Sequence, residues 1–185
     1  KAMIEAMRML GRQFVLGRTS EEGIKNARAY EQKGNRMSYD MLGEGARTMA
    51  DAERYFEIYH HAIARIGEAA NGASDTMQRP GISVKLSALY PRYEYRQHES
   101  CVPALTEKLL ELTRLAASKN ISLTVDAEEA DRLALSLEVI NGVFSDSSLK
   151  DWEGFGLAIQ AYQKRAYPLI EELGLKAAEQ GRFPR

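Results

Sequence analysis

Ile82-Ser83-Val84-Lys85 is a short apolar run that ends on one polar side chain, and the chain repeats that design twice. Leu123-Thr124-Val125 ends on Asp126, and Leu157-Ala158-Ile159 ends on Gln160. Lys85 and Asp126 are 41 residues apart, and Asp126 and Gln160 are 34 apart. Either step accommodates one strand, one helix and two short loops. A parallel βα repeat of that length sets successive strand ends side by side on one rim, where closed sheets of this kind place their chemistry. A lysine, an aspartate and an amide gathered there read as a small-molecule site, not as a core.

Outward from these runs the helical and strand periods alternate. Met3, Met7, Leu10 and Phe14 fall at helical steps, with Gly17 as the stop. Thr19-Ser20-Glu21-Glu22 has the form of a capping box that opens a second helix, closed by Gly34. Arg36-Met37-Ser38-Tyr39 is a short first strand that ends at Asp40. Thr48-Met49-Ala50-Asp51 caps the next helix, whose apolar face is Phe56, Tyr59, Ile63 and Ile66, and Asn71-Gly72 stops it. A turn-rich loop leads into strand two, 82–86, and a long loop from Ala88 to His98 follows. Val102, Leu105, Leu109, Leu112 and Leu115 mark a helix before strand three, Ile121 to Val125. The next helix is expected to begin at once with Glu128-Glu129, and strand four is Gly156 to Ile159. Pro168 suits the first turn of the last helix.

The order is therefore αα, then βα four times, which predicts an α/β fold with a parallel sheet and right-handed crossovers. A closed (β/α)8 barrel takes roughly 250 residues, and only about 150 follow the first two helices. The fold read here is an incomplete TIM barrel of about four βα units. Residues 1–34 form a leading helical segment and 35–185 the first half of the barrel. A small open sheet is the competing architecture. Strands one and four would carry open edges, which natural proteins avoid, so self-association through them is expected.

Composition sets the outer limits. The 185 residues are 44% hydrophobic and 28% charged with a net charge of −1, ordinary for a globular protein with one core. That balance argues against a nucleic-acid partner. The single cysteine, Cys101, excludes an intrachain disulfide framework and a zinc pattern. No apolar run approaches the ~20 residues of a membrane span, and the first residues form no signal peptide, so a cytoplasmic location is the default.

If Val84 and Leu86 face the helices, Ser83, Lys85 and Ser87 face the barrel axis. A lysine in a barrel mouth is costly unless paired, and Asp126 on the next strand is the natural partner. A structural ion pair without chemistry is the plain reading. Gln160 shifts the balance, because an amide can both donate and accept, as recognition of a polar heterocycle needs. Asp40 adds a fourth polar strand end. Asp126-Ala127-Glu128-Glu129 invites a metal, but acids in a helix's first turn complement its dipole and no histidine is near, so no metal is assigned. His60-His61 lies mid-helix with one ring expected in solvent. Tyr90-Pro91-Arg92-Tyr93-Glu94-Tyr95-Arg96 mixes bases and aromatics as single-strand binders do, yet a long rim loop explains it as well. No dinucleotide fingerprint, P-loop or nucleophile elbow is present.

Four segments carry a resemblance. Ser38-Tyr39-Asp40-Met41-Leu42-Gly43-Glu44, Ile82-Ser83-Val84-Lys85-Leu86-Ser87-Ala88-Leu89, Asp126-Ala127-Glu128-Glu129-Ala130-Asp131-Arg132-Leu133 and Ile159-Gln160-Ala161-Tyr162-Gln163-Lys164-Arg165 resemble the proline dehydrogenase domain of the bifunctional proline utilisation A family, in that family's order. Gly11-Arg12-Gln13-Phe14-Val15-Leu16-Gly17-Arg18 is similar to the segment that leads into that barrel. The resemblance implies a (β/α)8 barrel that holds FAD at the strand C-termini. It implies oxidation of L-proline to Δ1-pyrroline-5-carboxylate, with electrons passed to a membrane quinone by a peripherally associated protein. By motif, Lys85 would contact the proline carboxylate near the flavin, Asp126 and Gln160 would border the isoalloxazine, and Asp40 would line the substrate side.

The family's C-terminal barrel half has no counterpart in these residues. The expectation is therefore an inactive fragment that binds FAD weakly or not at all. Two other functions compete. One is a class I aldolase-like lyase with Lys85 as Schiff-base nucleophile. The other is a non-enzymatic half-barrel interaction module that uses the tyrosine-rich loop.

Overall fold

The computed structural model describes residues 2–70, 72 and 74–181, without the side chains of Ala2, Ala6, Arg8, Arg12 and Gln13. Two helices, α1 (Ala2–Phe14) and α2 (Ser20–Glu31), precede a four-stranded parallel sheet. Its strands are β1 (Ser38–Asp40), β2 (Gly81–Val84), β3 (Ser122–Val125) and β4 (Phe155–Leu157), paired in sequence order. Between and after them run α3 (Met49–Ala69), a single turn α4 (Leu86–Leu89), α5 (His98–Ser118), α6 (Leu133–Phe144) and α7 (Ala166–Glu179). Sequential order without a switch point puts the right-handed crossovers on one face, as in the wall of a barrel.

Register explains which face is which. Tyr39, Ile82, Leu123 and Phe155 form one cross-strand row, and Val84, Val125 and Leu157 another. Both rows pack into the core with α3, α5 and α6. The alternating rows are Ser38, Gly81 and Ser122, then Asp40, Ser83, Thr124 and Gly156. Those small and polar residues lie on the opposite face. Gly81 suits that crowding: a Cβ there would fall 2.2 Å from Ser122 Oγ, which would have to turn away, and 3.1 Å from Ser122 O.

Local chemistry sets the helix limits. Thr48 and Asp51 form the reciprocal capping box of α3, and its apolar face, including Phe56, Tyr59, Ile63 and Ile66, is buried. The cap of α2 is only half a box. Thr19 Oγ1 accepts from Glu22 N, but the Glu22 carboxylate reaches back to Arg18 N. Asn120, in the left-handed region at φ 51°, ends α5. Its N–H donates to Ala117 O and that of Ile121 to Ala116 O, the paired bonds of a Schellman cap that turns the chain into β3. Pro168 does lie in the first turn of α7. The expected stop at Asn71 lies outside the described residues.

Three sequence expectations are corrected. Strand two ends at Val84, so Ser87 lies in the turn of α4 and not on the barrel-facing side of a strand. Glu128 and Glu129 do not open a helix. They lie in an extended loop before the 3-10 turn at Ala130–Arg132, and α6 starts at Leu133. The physical cause is that the Glu128 carboxylate is spent on a distant backbone donor, Ser87 N–H, and not on its own first turn. Strand four ends at Leu157, which leaves Gln160 in the turn beyond it.

Candidate active site

Parallel pairing brings the carboxyl ends of all four strands to one rim, and the rim's centre is Lys85. This residue follows β2 directly, and its backbone N–H donates to the hydroxyl of Tyr59 on α3 at 3.2 Å. Tyr59 is almost wholly buried, and burial pushes its phenol up to about 12, so it stays a neutral partner. The Lys85 ammonium lies 2.8 Å from Asp40 Oδ1 and 2.8 Å from Asp126 Oδ2, with Glu44 Oε2 at 3.8 Å. Burial works against its charge. The hydrogen bonds that the ammonium donates to Asp126 and Asp40, with the charge of both carboxylates, outweigh that and hold the lysine pKa above its ordinary value. Lys85 is therefore a fixed cation, only 14% exposed, while Asp40 and Asp126 are 48% and 31% exposed.

Each partner is positioned by its own loop. Asp126 follows β3, and its N–H continues the β2–β3 ladder to Val84 O while Oδ1 accepts from Ala127 N–H. Asp40 ends β1. Glu44 comes from the loop after β1, where Gly43 at φ 117° and Gly45 at φ 71° flank it in conformations that side-chain-bearing residues disfavour. Gln160 stands further along the rim. Its Oε1 accepts from Gln163 Nε2 at 2.7 Å and from Tyr162 OH at 3.4 Å. Lys85, Glu44, Gln160, Glu128 and Arg132 share one open concavity of about 480 Å3. Asp126 and Gln160 share the adjoining cleft between the β3 and β4 ends and α6 and α7.

Of the residues expected from sequence, Lys85, Asp40 and Asp126 thus meet in one cluster, and Gln160 faces the same rim from the turn after β4. The Lys85–Asp126 pairing expected from neighbouring strands is present, but Asp40 shares the ammonium at the same distance. Sequence reasoning missed Glu44, Tyr59 and Glu128. The glycines that flank Glu44 were a usable signal. Tyr59 was not separable from an ordinary core aromatic. Burial raises the Glu128 carboxyl above its usual value, although hydrogen bonds from Ser87 and the charge of Arg132 work in the other direction. Among the described residues no group of three or more His, Cys, Asp or Glu is arranged to hold a metal ion. His61 pairs with Glu21 of α2 at 2.8 Å and lines neither concavity of the rim.

Comparison with known proteins gives these features a context. The family model described as proline dehydrogenase matches residues 23–184. The bifunctional protein PutA of Escherichia coli is 47% identical over 173 residues, which is 94% of this chain and 13% of that protein. A crystal structure of proline utilization A from Bradyrhizobium japonicum aligns with TM-score 0.83 at 50% identity, over 98% of this chain and 18% of that one. Proline utilization A from Bdellovibrio bacteriovorus aligns with TM-score 0.90 at 21% identity over 98% of this chain and 20% of that one, a likeness in fold alone. These domains are (β/α)8 barrels, and the four units described above correspond to part of one. The chain spans only 13% of the length of the curated relative.

Proposed function

This chain belongs to the proline dehydrogenase family, and on that premise we propose that it forms the N-terminal half of a proline dehydrogenase barrel (residues 35–185 after a leading helical segment, 1–34) that oxidises L-proline to Δ1-pyrroline-5-carboxylate with FAD. The single observation that carries the reading is the caged cation: Lys85 held by Asp40 and Asp126 at 2.8 Å each, on the rim of a parallel sheet. The residues fit a flavin beside a small zwitterion. The donor set offers a permanent ammonium, an amide and flanking acids around a concavity of about 480 Å3, and the adjoining sheet face carries only small side chains at Ser83, Thr124 and Gly156.

When bound, FAD supplies the redox chemistry, taking up the hydride that leaves the carbon beside proline's ring nitrogen. Lys85 binds the substrate carboxylate by a charge-assisted hydrogen bond. Asp40 and Asp126 keep that ammonium charged and aimed. Asp126 and Gln160 border the flavin ring, and Asp40 lines the substrate side. Fixing the substrate's orientation in this way removes much of the entropic part of the barrier. A membrane quinone would be the final electron acceptor, so the working protein would associate peripherally with the bilayer. Among the described residues no helix is long and apolar enough to cross it. An ammonium locked between two carboxylates is a poor amine nucleophile, which speaks against a Schiff-base lyase.

A polypeptide of these residues alone is expected to lack activity, to bind FAD weakly or not at all, and to self-associate through the β1 and β4 edges of the sheet. Flavin absorbance, proline:dye reductase activity and light scattering on the isolated chain test this, and robust turnover overturns it. In the flavin-loaded enzyme that contains this chain, Lys85→Met should weaken a carboxylate inhibitor far more than it lowers FAD content. Unchanged inhibitor affinity removes the role given to Lys85.

A further inference from the structure

Ser87 lies two residues beyond the caged lysine, in the single turn of α4, and is 5% exposed. All of its polar atoms bond to other loops of the rim. Its N–H donates to Glu128 Oε2, on the loop after β3, at 3.1 Å. Its Oγ accepts from Gly45 N–H at 3.3 Å, and its carbonyl accepts from Ala46 N–H at 2.8 Å, both on the loop after β1. One buried residue therefore ties together the loops that follow three neighbouring strands. The β1 loop so tied carries Glu44 to within 3.8 Å of the Lys85 ammonium, and Glu44, Gly45 and Lys85 line the same concavity.

We infer that Ser87 is a positioning residue for substrate binding, a latch that holds the Gly43-Glu44-Gly45 loop against Lys85 through the bonds of its hydroxyl and carbonyl. This rests on the functional reading above, because it assigns the concavity to substrate. A loop free to swing away takes the Glu44 carboxylate and the backbone of Gly45 from the substrate's surroundings. That weakens contacts made equally before and during the reaction, so it raises KM and leaves kcat in place. Two of the three latch bonds use backbone atoms and survive mutation. A side-chain change removes the hydroxyl's bond to Gly45 and its interaction with the Glu128 carboxylate, and of these only the first reaches the loop after β1.

Ser87→Ala takes away one oxygen and leaves the turn of α4 intact. In the flavin-loaded enzyme that contains this chain, amide exchange in residues 43–47 should quicken about five-fold, the worth of one ordinary hydrogen bond, while the α3 and α5 amides stay as they were. KM for L-proline should rise about three- to ten-fold with kcat within about two-fold. Wild-type exchange in 43–47 overturns the latch, as does faster exchange spread evenly over the whole protein. A loosened loop with unchanged KM overturns its role in substrate binding. If the enzyme does not oxidise proline at all, the functional reading fails and the exchange measurement still decides the latch.

Discussion

Neutralising both acids that cage Lys85 should cost much more than the two single changes together. In Asp40→Asn or Asp126→Asn, the ammonium keeps one carboxylate at 2.8 Å. A hydrogen bond to a charged group is worth about 1.5–3 kcal/mol, and partial exposure of both acids brings each loss down to about 1 kcal/mol. The double variant leaves a lysine only 14% exposed with neutral amides in place of both aspartates and Glu44, at 3.8 Å, as its nearest carboxylate among the described residues. A mostly buried charge that loses its close counter-charges costs about 3–5 kcal/mol. The coupling energy, the double loss less the two single ones, is therefore about 1–3 kcal/mol. Urea unfolding followed by circular dichroism at pH 7 measures all four proteins of the cycle. Losses that add to within about 0.5 kcal/mol refute the reasoning, since they mean that water and not the two aspartates solvates Lys85.

Glu128 gives a pH test. Its folded-state pKa is raised, so its ionisation disfavours the fold, and stability falls as pH rises from about 4.3, the unfolded value, through the folded one. Glu128→Gln should thus gain stability relative to the parent across that window, seen in thermal midpoints at successive pH values, and a difference independent of pH counts against the assignment. Gly81→Ala puts a methyl 2.2 Å from Ser122 Oγ and should cost about 1–3 kcal/mol, read as a lower urea midpoint. Thr48→Ala removes half of the α3 capping box and should cost about 1 kcal/mol by the same measurement, with far-ultraviolet helicity little changed at 20 °C, a temperature of roughly maximal stability.

Much of this protein was already written in its residue order. The period of apolar residues set strands and helices in alternation, because a half-buried strand and an amphipathic helix each leave a distinct repeat. Thr48-x-x-Asp51 announced α3, and the polar residues that close three apolar runs announced the rim. The motifs around Lys85 and Asp126 also carried the resemblance to the family. What the sequence left open depends on contacts between residues about forty positions apart. Ser87 read as a strand residue because alternation continues through it, yet the backbone turns at Lys85 into α4, where Ser87 meets the β1 and β3 loops. Glu128 read as a helix-opening acid because local rules place acids there, and a distant backbone N–H took it instead. Local patterns fix which elements form, since their forces act over a few neighbouring residues. The sharing of one ammonium by Asp40 and Asp126 appears only when parallel register sets their strand ends on either side of Lys85, for charge and hydrogen bonding act through space and not along the chain.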